Sequence, residues 1–205
     1  MSIVCVSLLL FGPATARGPE SSDFAFAPAA GPESPLRLEG TTWVDETPGH
    51  ALHLLRLSDE DRQAYLQRVT GAVTDPFASP PDQKPRFLTF LIRLENRETP
   101  SLMLNAQQCW LVTNKGEHLT PVGLEELRAG YGILDREMPP AYDRVRPAVF
   151  EYSWTLGQGE SASGLLIYRA FKPKTKSFQI DLQLTRSTGD VIRRSAPYVK
   201  KKPGD

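Results

Sequence analysis

The chain reads as mainly β, with short antiparallel strands packed as a sandwich or barrel. Three observations lead there. Phe178, Ile180, Leu182 and Leu184 alternate with Gln179, Asp181, Gln183 and Thr185, the period of a strand with one dry face and one wet face. Leu88, Phe90, Ile92 and Leu94 repeat the pattern in the segment 87–96. Eighteen prolines and 15 glycines among 205 residues cut the chain into short pieces and leave little room for long helices.

The elements follow in order. Thr41–Val44 and Ala51–Leu55 read as two strands joined by a turn at Thr47-Pro48-Gly49. Ser58 opens a helix near 59–69. Its Ser-x-x-Asp spacing to Asp61 is a form of capping box, and Asp59, Glu60 and Asp61 suit the positive end of the helix dipole. Tyr65, Leu66 and Val69 form its apolar stripe, and Gly71 ends it. Residues 75–85 hold four prolines and form a loop. The strand 87–96 follows, with Leu91 as the one apolar residue on its wet face.

Leu102–Leu104 and Cys109–Thr113 read as separate strands, the second turning back at Asn114-Lys115-Gly116 into Glu117–Thr120. Leu124–Ala129 reads as a short helix ended by Gly130. Residues 130–147 read as a long irregular loop with three prolines. Phe150, Tyr152, Trp154 and Leu156 alternate with polar residues as a further strand. Leu165–Phe171 is apolar nearly throughout and reads as a central strand. After the strand 178–185, Ser187–Asp190 turns into Val191–Ser195.

The first sixteen residues read as an export signal. Ile3–Phe11 is an apolar run too short to span a bilayer, and Ala14-x-Ala16 is the small-residue pattern at which such signals are cut. Cleavage after Ala16 leaves Cys109 as the sole cysteine, which excludes an intrachain disulfide and suits a buried thiol. Residues 17–35, with four prolines, read as a flexible linker, 36–199 as one domain and 200–205 as a basic tail. The expected location is therefore extracytoplasmic, periplasmic or secreted.

Composition removes several functions. Twenty-four basic and 24 acidic residues balance, which argues against nucleic acid as a partner. His50, His53 and His118 are the three histidines, and an odd spacing in a strand sends the first two to opposite faces, so no metal site is expected. No phosphate-binding glycine loop is present and no cofactor is expected. Ser161 lacks the strand–turn–helix context of a nucleophile elbow.

What remains is the loop 130–147. Tyr131, Tyr142, Arg144 and Arg146 are residue types that favour interfaces, and they make this loop the expected contact surface for an envelope protein or envelope component. Its mixed charge also suits a plain crossover between sheets. Asp135, Glu137, Asp143 and Glu151 supply a second reading, a glycan-acting hydrolase with paired carboxylates. A carrier of a small apolar ligand is the third. Arg193, Arg194, Lys200, Lys201 and Lys202 offer a weak contact for anionic surfaces.

The order Phe90–Asn96, Leu111–Gly116, Leu156–Glu160 and Gly164–Tyr168 resembles that of secreted or lipid-anchored bacterial immunoglobulin-like β-sandwich proteins, across about residues 86–185. The resemblance implies an extracytoplasmic immunoglobulin-like sandwich with one or two short helices. It brings no catalytic residues.

Overall fold

The structure, a computed structural model, describes residues 26–29, 35–79, 83, 85–134, 137–171 and 174–201. The expected signal peptide lies outside the described residues, as do most of the expected linker, Asp135 and Lys202. Strands dominate, as the alternation requires. In chain order they are β1 (Phe26–Pro28), β2 (Arg37–Glu39), β3 (Thr42–Glu46), β4 (His50–Leu57), β5 (Phe87–Asn96), β6 (Ser101–Thr113), β7 (His118–Leu119), β8 (Ser153–Gly157), β9 (Ser161–Arg169), β10 (Ser177–Arg186) and β11 (Val191–Lys200). The helices are α1 (Asp59–Thr70), α2 (Leu124–Ile133) and α3 (Ala141–Val145).

The strands form two antiparallel sheets. One runs β2-β3-β4-β5-β9. The other runs β1-β11-β10-β6-β7, with β8 also pairing along β6. The inward side chains of both sheets meet in one apolar core that includes Trp43, Leu54, Phe90, Ile92, Leu111, Tyr168, Phe178, Ile180 and Tyr198. Phe178 stacks on Tyr198 with ring centres 4.9 Å apart, and Phe90 meets both rings edge-on. The Tyr168 hydroxyl donates to the Cys109 carbonyl at 3.1 Å, tying β9 to β6 across the core.

Asn96 makes the corner where the chain leaves one sheet for the other. Its buried amide nitrogen donates to the carbonyls of Thr99 (2.8 Å) and Leu156 (2.9 Å), and its oxygen accepts from the Thr99 hydroxyl at 2.7 Å. A buried amide whose donors and acceptor are satisfied by two segments, at Thr99 and Leu156, fixes that corner.

The helices pack on the outer face of the β2-β3-β4-β5-β9 sheet and build a second apolar cluster there. It holds Leu57, Leu66, Phe77, Phe87, Leu127, Tyr142, Val145, Leu165 and Ile167. α1 forms as expected: Ser58 accepts from the Asp61 amide, Asp61 returns to the Ser58 backbone, and Gly71 closes the helix with φ of 69°. The wet side of this sheet is therefore dry over half its length, which explains the exceptional Leu91.

Several expectations are corrected. β9 is an edge strand of its sheet, with β5 as its ladder partner, and not a central one. It is apolar on both faces because one faces the core and the other faces the helices. The two expected strands within 102–113 are one strand, β6, interrupted by a bulge opposite Leu182–Leu184. Phe26–Pro28, inside the stretch expected to be linker, pairs with Tyr198–Lys200, and Phe26 enters the core against Phe171 and Phe178. A single aromatic anchor offsets the proline content there. Tyr152, expected on the dry face of its strand, is exposed.

Candidate functional site

Residues 130–147 are not the irregular loop the prolines suggest. They hold the end of α2, all of α3 and a 3-10 turn that begins at Arg146. Pro140 and Pro147 sit at helix starts, where a missing N–H costs nothing. α2 begins after Gly123, which has no side chain to cap it. Glu151 supplies the missing acceptor by taking a hydrogen bond from the Leu124 amide.

The four residues expected to bind a partner have different fates. Tyr142 is buried, its hydroxyl donates to the Pro76 carbonyl at 3.0 Å, and Phe77 packs edge-on against its ring. Burial, and then the neighbouring Tyr131, push its hydroxyl pKa up to about 12. Tyr131 lies 6.1 Å from it, ring centre to ring centre. Arg146 is committed to Glu125 at 2.6 Å and Glu151 at 3.4 Å. Arg144 is exposed and, with Ala72, Val73, Thr74, Pro140 and Ala141, lines a depression of about 110 Å³. Of the four, Arg144 alone is exposed. Tyr142 and Arg146 build the layer that carries it.

What sequence reasoning missed is the apolar surface around this layer. Ile133 is 85% exposed, Leu134 65% and Val73 81%. Their signal is local: Ile133 and Leu134 follow Gly130 and Gly132 at the end of α2, and no element among the described residues covers them.

Four carboxylates of the region, Glu125, Glu126, Asp143 and Glu151, are held by cations. Asp143 accepts from Arg128 at 2.7 Å, and Arg169 bonds Glu126 at 3.1 Å. The hydrogen bond from Arg146, and then the charge of Arg128, hold the Glu125 carboxyl below its usual value. Glu137 is exposed, and Asp135 lies outside the described residues. Such pairing stabilises the charged form of each acid and suits a structural network better than a proton donor.

A second polar cluster lies at the turn between β3 and β4. The buried His50 Nε2 stands 2.7 Å from Asp45 Oδ2, and Thr47 Oγ1 stands 3.0 Å from its Nδ1. A carboxylate only accepts, so Nε2 carries the hydrogen. Arg194 of the other sheet donates to the same Asp45 oxygen at 2.6 Å. Hydroxyl, imidazole and carboxylate are thus in contact, but the Thr47 oxygen is taken up by the His50 backbone amide at 3.2 Å, and imidazole and carboxylate are both buried. The arrangement ties the two sheets together. His53 faces the other way from His50, as its spacing predicts.

The basic residues near the C-terminus do not form one face. Arg193 points outward, Arg194 points inward to Asp45, and Lys200 ends β11 instead of opening a tail. Among the described residues, no three histidine, cysteine or acidic side chains gather as a metal-ligand set. No described helix is long and apolar enough to cross a membrane. No protein-family model matches the chain, and no curated protein matches its sequence.

Proposed function

We propose that the chain is a bacterial extracytoplasmic binding module, an immunoglobulin-like β-sandwich that acts without catalysis and docks an envelope protein or envelope component through its helical layer. The observation that carries this reading is the exposure of three apolar side chains, Val73, Ile133 and Leu134, at the ends of helices whose ion pairs include Arg128–Asp143 and Arg146–Glu125. Apolar side chains that a fold leaves in water are the usual material of a contact surface, and Arg144, which lines the same depression as Val73, adds a directional donor. Export of the chain rests on the Ile3–Phe11 run and the Ala14-x-Ala16 pattern.

Crosslinked capture from the native cell envelope tests the docking. One reproducible partner is expected with the unaltered protein and none with the double variant Ile133→Asp, Arg144→Ala, at unchanged melting temperature. A partner retained equally by the double variant sinks the reading. The intact mass of protein recovered from the periplasm or medium tests the export step, and a chain beginning at Arg17 is expected.

A further inference from the structure

The outer face of the β1-β11-β10-β6 sheet lies on the far side of the molecule from the helices, and its centre is polar in an ordered way. Strand register places Trp110 of β6, Asp181 of β10 and Ser195 of β11 in one row. Val112, Gln179 and Pro197 form the next row, and Gln183 stands opposite Arg193. All of these alternate with core residues and are partly exposed or exposed. The Asp181 carboxylate is fixed from two sides. Gln179 Nε2 donates to both of its oxygens at 2.9 Å, and the Ser195 hydroxyl donates at 2.6 Å.

We propose that this face binds a neutral oligosaccharide, the Trp110 indole stacking on the apolar face of one sugar ring while Asp181 and Gln183 take hydroxyl hydrogens. The proposal goes beyond the helical-layer reading above and concerns a separate face of the molecule. Three arguments favour this occupant. First, the charges on the face balance: one carboxylate, already hydrogen-bonded, and one guanidinium at Arg193. That suits an uncharged ligand and disfavours phosphate, acidic peptide or lipid headgroup. Second, a protein partner would want an apolar centre and a polar rim. Here the middle strand, β10, presents Gln179, Asp181 and Gln183 along its whole outer face, and the exposed Val191 and Val199 lie toward the ends of β11. Third, an orienting carboxylate held rigid by its neighbours accepts hydroxyls without losing further freedom. Strands about 4.8 Å apart put three of them across about 10 Å, the length of two sugar rings.

The test is calorimetric titration of the chain from Arg17 onward with cellohexaose and with chitohexaose, two neutral β-linked probes. Saturable binding of at least one is expected. Trp110→Ala should weaken it roughly ten-fold or more, and Trp110→Phe, which keeps a ring, by less than about three-fold. Asp181→Asn should weaken it with the melting temperature preserved. No saturation by either probe up to roughly 10 mM overturns the proposal. So does binding that Trp110→Ala and Asp181→Asn leave undiminished. The variant Ile133→Asp, Arg144→Ala should bind sugar normally. Sugar binding with failed partner capture would therefore refute the helical-layer reading alone, and the converse would refute this one alone.

Discussion

Tyr142 illustrates how a residue type that favours interfaces can serve a core. Its ring closes the helical layer over Phe77, and its hydroxyl satisfies the Pro76 carbonyl. Tyr142→Ala should therefore cost about 3–5 kcal/mol of stability and lower the melting temperature, while Tyr142→Phe should cost about 1 kcal/mol. Asp45 carries a pH dependence. Burial alone would raise its carboxyl pKa, but hydrogen bonds from His50 and Arg194 outweigh that and hold it below the ordinary value. A lowered folded-state pKa means that the stabilisation is present above the unfolded value, about 3.9, and is lost as pH falls through the folded one. Asp45→Asn should be less stable than wild type by about 1–3 kcal/mol at pH near 6. Urea titrations should show that gap narrowing as the pH falls below the unfolded value, and a gap independent of pH would contradict the assignment. Neither Tyr142 nor Asp45 was legible from sequence, because burial of each depends on strands or helices far away in the chain.

At the scale of elements, strands with a plain alternation were legible and those without one were not. β10 buries one face throughout and β5 does so in its second half, and both show it in their residues. β9 is covered on both faces, so its uninterrupted apolar run suggested the middle of a sheet when it stands at an edge. The region after α2 misled for another reason: its prolines occupy helix starts, where proline is compatible with helix. Gly164 of β9 shows how tightly β8 and β9 meet. A methyl group there would approach Trp154 Cζ2 to 3.1 Å and Phe150 Cβ to 3.3 Å, against rings already stacked 4.0 Å apart. Gly164→Ala should destabilise by about 1–3 kcal/mol in thermal melts, although alanine suits a strand better than glycine does.

For the whole molecule, the sequence pointed to two antiparallel sheets and one domain-sized core, but not to the helical layer as a third stratum. That layer is assembled from three separated segments, which local periodicity cannot join. Both proposed binding surfaces lie outside the shared core, one on each broad side. Cys109 reports on the integrity of that core. Burial pushes its thiol well above the ordinary value and closes it to solvent. A disulfide reagent should therefore label it at the rate of global unfolding in buffer and at once in concentrated urea. Fast labelling of the native protein would mean that the sheets open locally.

The pairing of β1 with β11 makes the fold nearly a closed ring. Phe26 stands opposite Lys200, so the first and last strands meet at the distance of an ordinary hairpin. A circularly permuted chain, with residue 201 joined to Phe26 through a few glycines and serines and new ends opened at Gly189, should keep every ladder of both sheets. It should melt cooperatively near the parent temperature, because the cut falls in an exposed turn and the join replaces an existing neighbour. Chain order would then be a matter of where the ring is cut, and either broad face could be displayed from a carrier at a point of choice.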